Sequence, residues 1–489
     1  MSMFGINAYG AYIPRARLQK SVMAEANQWF DASLGGLAKG ERAICNWDED
    51  SITMAVEAGQ DCLSLLDPAS VDTLYLASTS FPFSDRQNSV LVGDALNLGN
   101  QLKALDIAAS QRCATSALIA LLERGGDGKE NALLVASEHR RSRAGSRQEM
   151  LWGDAAAALG IGGDEVIAEY LGSVSIADNF VDHYRGEGES IDYDWEERWI
   201  RDEGFLRAVP QAVEALLEKT GVAVADIAHF VMPSDQSRAP GAVAKKLGIK
   251  AEALIDNHIE RCGVAGAAHP LLLLTAALEA AKPGELILVT GFGQGVDAIL
   301  LRATDKIASR RPATGFAGAL QRRREDRNYQ RFLSFNDLVD REIGKRGETD
   351  KQSYLTAMYR RDKLLTRFSG GKCRECGTVQ VPKERYCVNP ECHALDSQDD
   401  YPLAGVSGRI KTWTADRLTF DWNPPAYFGM VEFEGGAKLM MDFTEVQAGA
   451  VESGVAVTPH FRIRQFDPQR GFRKYFWKAI PEQSEQSAR

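Results

Sequence analysis

Between residues 1 and 305 the chain alternates Ala/Leu-rich stretches of helical period with short, compact apolar runs, separated by turns of Gly, Pro or Asp. The apolar runs show no in-and-out alternation, so they read as parallel strands buried on both faces. Four helix-turn-strand units stand out: residues 61–78, 113–137, 212–233 and 262–293. The first is similar to the third. The second is more closely similar to the fourth: each opens on Cys and small residues, runs into a Leu/Ala helix, and breaks at Gly or Pro before a strand. This spacing predicts a duplicated α/β fold, with chance similarity among α/β units as the alternative.

After Leu301 the texture changes. The stretch SRRPATGFAGALQRRREDRNYQR is Arg-rich, carries no strand pattern and reads as a boundary or crossing linker, and residues 332–368 read as polar and helical. From Ala404 onward, short alternating stretches such as YFGMVEFEGGAKLMMDFTEV predict a small antiparallel barrel. The expected organisation is two halves, 1–165 and 166–305, then a linker with helices (306–353), a helix with a cysteine cluster (354–402) and the barrel (403–480). The tail PEQSEQSAR is expected to fray.

Composition narrows this picture. The 489 residues are 44% hydrophobic and 25% charged, which suits a globular chain with sizeable cores. A net charge of −10 argues against a general nucleic-acid binder. No apolar run approaches the roughly 18 residues of a membrane span, and the start lacks a secretory signal, so a soluble cytoplasmic protein is expected. Of the eight cysteines, Cys373, Cys376, Cys387 and Cys392 form a C-x2-C and a C-x4-C pair inside GKCRECG and RYCVNPEC. Two thiolate pairs on turns, helped by Gly377 and Pro390, close a tetrahedron around zinc. Four protein thiolates leave no position for water, so a structural role is expected, with His393 the one nearby substitute ligand. Two disulfides or an iron site are the alternatives.

Cys113, in DIAASQRCATSALIALLER, falls between a strand-like stretch and a helix of small and aliphatic residues. At that junction helix N–H groups favour thiolate and lower the pKa. Small neighbours would admit a substrate, but a buried structural cysteine fits the local sequence equally well.

Residues 1–300 resemble thiolase-fold condensing enzymes, especially hydroxymethylglutaryl-CoA synthases and ketoacyl-ACP synthase III. The resemblance rests on ERAICNWDEDSITMAVEA (41–58), QRCATSAL, LWGDAAAALGIG (151–162) and TGFGQGVDAILL (290–301). It implies a duplicated, five-layered thiolase-like fold, an acyl-accepting Cys113, and an oxyanion hole from the N–H groups of Cys113 and Gly293. Three departures accompany it. VMPSDQSRAP places Ser234 and Asp235 where the family carries His, Val264 follows Gly263 where the ketoacyl synthases carry Asn, and Ser80 stands near the place of the expected Glu. They argue against ordinary fatty-acid chain initiation and count against authentic hydroxymethylglutaryl-CoA synthesis.

His258 and His269, in DNHIERCGVAGAAHPLLLL, are candidate bases, with helix capping and core hydrogen bonding as the alternatives. Cys262 falls in register with Cys113 in the repeat; with Cys45 and Cys62 it reads as a core residue. Arg140, Arg141 and Arg143, in HRRSRAGSR, are candidates for holding coenzyme A phosphates, or form a solvated loop. Residues 354–470 resemble the acyl-CoA-associated proteins that join a rubredoxin-like zinc ribbon to an OB-fold. That implies binding of acyl-CoA or bridging to a thiolase, although Trp413, Trp422, Tyr427 and Phe428 are of the kind that stack on bases. The expected protein is an acyltransferase that makes or breaks a carbon–carbon bond through a Cys113 acyl-enzyme, with structural zinc, an acyl-CoA substrate, a homodimeric thiolase-like part and no membrane or nucleic-acid partner. The alternative is a non-catalytic scaffold or acyl-CoA-binding subunit of a thiolase complex.

Overall fold

The computed structural model describes residues 3–125, 131–352, 354–447 and 449–482, so the fraying expected of residues 483–489 lies outside the described residues. The chain divides into two compact units. One comprises Met1–Cys45, Asp50–Gly93 and Leu98–Val339; the other comprises Asn46–Glu49, Asp94–Asn97 and Asp340–Arg489.

The first unit is built on nine strands: β1 (Gly5–Tyr12), β2 (Val71–Ala77), β3 (Lys103–Ile107), β4 (Asn131–Glu138), β5 (Ala155–Gly162), β6 (Ala168–Ala177), β7 (Ile227–Val231), β8 (Leu286–Phe292) and β9 (Gly295–Ala303). Its principal helices are α1 (Ser51–Leu63), α2 (Cys113–Arg124), α3 (Leu206–Thr220) and α4 (His269–Ala280). The strand order is β7-β8-β9-β6-β1-β5-β4-β2-β3. From the β1–β6 junction the two directions read alike, β1-β5-β4-β2 and β6-β9-β8-β7. In each, the outer pair is parallel and the other neighbours are antiparallel. This is the expected duplication.

α2 and α4, the repeated inner helices, pack together in one core, to which α2 contributes Ala114, Ala117 and Leu118 and α4 contributes Leu271, Leu274 and Leu278. α1 covers the outer face of the first half, while α3 and the helix Ala239–Leu247 cover that of the second. The result is five layers. Each fully buried Leu contributes roughly 1.5–3 kcal/mol, and alanines along α2 and β5 let the layers approach closely. One register differs from the sequence expectation: α4 starts at His269, so His269 rather than Cys262 stands where α2 has Cys113.

The Arg-rich stretch after Leu301 is integrated into the first unit. Arg324–Asp326 pairs in parallel with Ala16–Leu18, and Arg323 forks onto Glu41 at 2.7 and 2.5 Å. A three-residue strand with a partner three hundred positions away leaves no local pattern, which is why it read as a linker.

In the second unit, β10 (Ser369–Cys373), β11 (Val379–Gln380) and β12 (Gln398–Pro402) form a small sheet in the order β11-β10-β12. β13 (Gly408–Asp416), β14 (Ala426–Phe433), β15 (Lys438–Asp442), β16 (Ala456–Asp467) and β17 (Phe472–Pro481) run in the order β15-β14-β13-β16-β17. A parallel bridge between Phe443 and Ala479 joins the two ends, giving the OB-fold arrangement. Its core stacks Phe368 on Trp477, with Phe433 edge-on.

Candidate active site and metal centre

Cys113 opens α2 and is 3% exposed. The segment before it is pinned from the second half of the same unit. Ser110 Oγ donates to the Gly293 carbonyl at 2.9 Å, and a Cβ on Gly293 would stand 2.8 Å from that oxygen and 3.1 Å from the Gln111 and Arg112 amides, so only glycine fits without a shift. Asp297, fully buried on β9, accepts from Arg112, Thr115, Ser116 and Ser175 at 2.6–2.8 Å.

The helix start does not produce the thiolate expected from sequence. Burial pushes the Cys113 thiol well above its ordinary value, and the Glu138 carboxylate adds to the rise, against a smaller opposing pull from the Ala114 and Cys113 amides. Glu138, at the buried end of β4, is held by the Thr79 amide and hydroxyl and by the Ala267 amide at 3.1–3.2 Å. The two amides implied for an oxyanion hole are also engaged: Cys113 N–H donates to Ser110 O at 3.1 Å and Gly293 N–H to Gly295 O at 3.0 Å. The hole is therefore not formed in this conformation.

A half-open cleft with a cavity volume of about 100 Å³ lies beside this segment. Phe205, Phe292, Pro233, Val264 and Trp152 give it apolar walls; Gln111, Asp182, His183, Asp194, Ser234 and Asp235 bring polar atoms into it. Gly266, with φ +42°, packs where a Cβ would strike Gln111, Arg140 and Glu138, which ties the cleft to the carboxylate beside Cys113. Burial raises the carboxyls of Asp235 and Asp194 above the usual range. Such a mixture, an apolar cavity with a few convergent titratable groups, is what a small-molecule site requires.

In the second unit the four sulfurs of Cys373, Cys376, Cys387 and Cys392 all lie within 4.8 Å of one another. Cys376 and Cys387 are 3.5 Å apart and Cys373 and Cys392 are 4.0 Å apart. A zinc tetrahedron with bonds of about 2.3 Å has sulfur–sulfur edges of roughly 3.8 Å, so the cluster fits zinc. Gly377, at φ +76°, makes the turn after the first pair. The hydroxyls of Ser397 and Thr378 lie 3.2 and 3.3 Å from Cys373 and Cys376, where they support thiolates. His393 is exposed and outside the cluster.

Comparison with known proteins agrees with both units. Over 320 residues the chain is 30% identical to the hydroxymethylglutaryl-CoA synthase of Aeropyrum pernix, covering 64% of this chain and 88% of that one. The chain belongs to the hydroxymethylglutaryl-CoA synthase family. Membership places it among the thiolase-superfamily condensing acyltransferases. Residues 217–302 match the 3-oxoacyl-[acyl-carrier-protein] synthase III C-terminal family, and residues 361–396 match the ChsH2 rubredoxin-like zinc ribbon domain. A crystal structure of a hydroxymethylglutaryl-CoA synthase complexed with CoA superposes with a TM-score of 0.61 at 16% identity, covering 72% of this chain and 95% of that one. The 3-oxoacyl-[acyl-carrier-protein] synthase III of Aquifex aeolicus gives 0.52 at 22% identity, covering 61% and 99%. The structural likenesses establish the fold.

Within this family member, the residues singled out from sequence scatter. His269 is fully buried; its Nε2 donates to Asn257 O at 3.1 Å, its Nδ1 accepts from the Ala265 amide at 3.3 Å, and burial pushes its pKa down to about 3. With both nitrogens spent, it is a positioning residue and not the base. Asn257 in turn binds the Ser234 amide and Met232 carbonyl, so His269 steadies the loop that carries Ser234 and Asp235. His258 packs against the Phe316 ring at 4.9 Å, is lowered by burial, and is not among the cleft-lining residues.

The arginine loop separates too. Arg140 is buried over Trp152 at 3.5 Å and clamped by Asp192, so it forms cleft wall and is not available to a phosphate. Arg141 pairs with Asp337 at 2.9 Å, and Arg143 is exposed. Sequence reasoning passed over Glu138, Asp297 and His183. Glu138 ends a strand without a motif, and Asp297 lies inside TGFGQGVDAILL, where only the glycines were read, whereas His183 carried a weak signal as a His beside Asp in a polar loop.

Proposed function

We propose that this chain is an acyl-CoA acyltransferase that uses Cys113 to form an acyl-enzyme and then makes or cleaves a carbon–carbon bond. The observation that carries this reading is the placement of Cys113: first in an inner helix, its preceding segment locked to the Gly293 loop, and two residues after Gln111, which lines an apolar cleft with polar groups although Cys113 itself is not among the lining residues. In the first half-reaction the thiol loses its proton and sulfur bonds to the thioester carbonyl carbon. The bond from that carbon to the coenzyme A sulfur breaks, and coenzyme A leaves as the thiol with the proton. Because burial and Glu138 hold the free thiol protonated, sulfur is activated only once substrate has entered and the amides of Cys113 and Gly293 have turned from their backbone partners toward the developing oxyanion. Exposed Arg143 is left to meet coenzyme A phosphates.

Intact mass after incubation with acetyl-CoA tests the reading: an acetyl adduct is expected and is lost in Cys113→Ala. No adduct with acetyl-CoA, propanoyl-CoA or butanoyl-CoA overturns it. The engaged amides of Cys113 and Gly293 favour a second reading, a non-catalytic scaffold, under which no adduct forms and Cys113→Ala leaves pathway activity intact. Two partners belong to the first proposal, a second copy of the chain and a separate thiolase; light scattering and co-purification test them.

A further inference from the structure

Carbon–carbon bond formation on an acyl-enzyme needs a group that removes a proton from the carbon next to the thioester and later returns one to an oxygen. Such a group must be within reach of the cleft, must keep one atom open, and must have its other side held. The histidines expected from sequence fail these conditions: His269 has both nitrogens occupied, and His258 is not among the cleft-lining residues.

His183 meets them. It lines the cleft together with Ser234, Asp235 and Phe292. It stands on the short strand His183–Tyr184, which pairs with Tyr193–Asp194 and is thereby fixed in direction. Nδ1 lies 2.7 Å from Asp182 Oδ2, so Nδ1 carries the hydrogen and Nε2 presents a lone pair. Among the described residues, nothing hydrogen-bonds Nε2. The orienting carboxylate is itself anchored: Gln294 Nε2 donates to Asp182 Oδ1 at 3.0 Å, and Gln294 directly follows Gly293, whose carbonyl accepts from Ser110 in the segment that leads into Cys113. Imidazole and nucleophile are thus registered against the same glycine loop.

We infer that His183, oriented by Asp182, is the catalytic base and acid of the carbon–carbon bond-forming step. The inference rests on the acyl-enzyme reading above. Nε2 takes the proton from the carbon adjacent to the Cys113 thioester. The electron pair left behind bonds to the carbonyl carbon of a second substrate, a ketone-bearing acyl thioester. That carbonyl's π pair moves to oxygen, which receives the proton back from Nε2. Asp194 and Asp235 face the imidazole from the partner strand and from the Pro233–Gln236 loop, and their raised carboxyls limit the negative charge around it.

The test uses acetyl-CoA in deuterium oxide and needs no knowledge of the second substrate. Wild-type protein is expected to acetylate Cys113 and to exchange the methyl hydrogens of the bound acetyl group for deuterium, read as a mass increase in the adduct. His183→Gln is expected to acetylate within about twofold of wild type while exchange slows by about 100-fold or more, the scale of general-base catalysis. His183→Gly should regain exchange on addition of imidazole. Asp182→Asn should slow exchange, because the ring loses the carboxylate that fixes Nδ1 as the hydrogen-bearing atom and holds its orientation. Exchange at the wild-type rate in His183→Gln overturns the inference. So does loss of acetylation together with exchange, or wild-type protein that acetylates without exchanging. If wild-type Cys113 takes no acyl group, the acyl-enzyme reading itself fails.

Discussion

Arg112 Nη1 donates to Asp297 Oδ1 at 2.8 Å, joining the residue before Cys113 to a buried carboxylate on β9. Three hydroxyls, from Thr115, Ser116 and Ser175, fill the remaining acceptor positions. Asp297→Ala strands the guanidinium and three donors together, and destabilisation of about 3 kcal/mol is expected in urea denaturation. Asp297→Asn preserves the shape and should cost less stability, yet still slow Cys113 acetylation because one hydroxyl must turn away.

The raised Cys113 thiol should show in alkylation. The rate with iodoacetamide is expected to climb with pH without levelling off near neutrality, because thiolate is scarce there. The Glu138 charge opposes thiolate, so Glu138→Gln lowers the thiol pKa and should accelerate alkylation at about pH 8 by roughly fivefold. An unchanged rate would remove Glu138 from the account.

His269 makes stability depend on pH in a defined direction. Its pKa in the folded chain is pushed down to about 3 from an ordinary 6.5, so between these values the unfolded chain binds the extra proton. Stability is therefore full above the unfolded value and falls as pH drops through this window, by up to about 1.4 kcal/mol per pH unit. His269→Gln should lose that increment of slope, as seen by comparing urea midpoints at about pH 6.5 and about pH 4.5.

Gly293→Ala places a methyl 2.8 Å from Ser110 Oγ and 3.1 Å from two backbone amides. The segment leading to Cys113 must move, and acetylation is expected to slow by about tenfold or more, since small misplacements of reacting groups carry large rate costs. Far-ultraviolet circular dichroism should remain that of wild type.

The ribbon cysteines should hold one zinc per chain. Cys373→Ser combined with Cys387→Ser removes one ligand from each pair, and elemental analysis is expected to find the zinc gone. Limited proteolysis should then cut between residues 369 and 402, because a ribbon of this size has little core apart from its metal.

The parts of the molecule that were legible in sequence are those with a local period or spacing. The duplication showed because α2–β4 and α4–β8 each keep helix, turn and buried strand within one window, and the zinc site because its four ligands are close in sequence. The active-site chemistry was legible only in part. The helix start at Cys113 is a local fact, but its effect on the thiol is reversed by burial and by Glu138, which arrives from β4. His269 looked like a base in sequence because nothing local reveals that Asn257 and Ala265 occupy its ring. His183 acquires its meaning from Gln294 and Asp182, which meet only in the fold.

The protonated state of Cys113 also bears on how the protein survives oxygen. Peroxide attacks thiolate, and a sulfur kept as thiol behind a nearly closed surface offers it little. Under the proposed acyl-enzyme reading, in which substrate entry is what activates Cys113, the sulfur needs no resolving cysteine and no reducing partner to stay intact between turnovers.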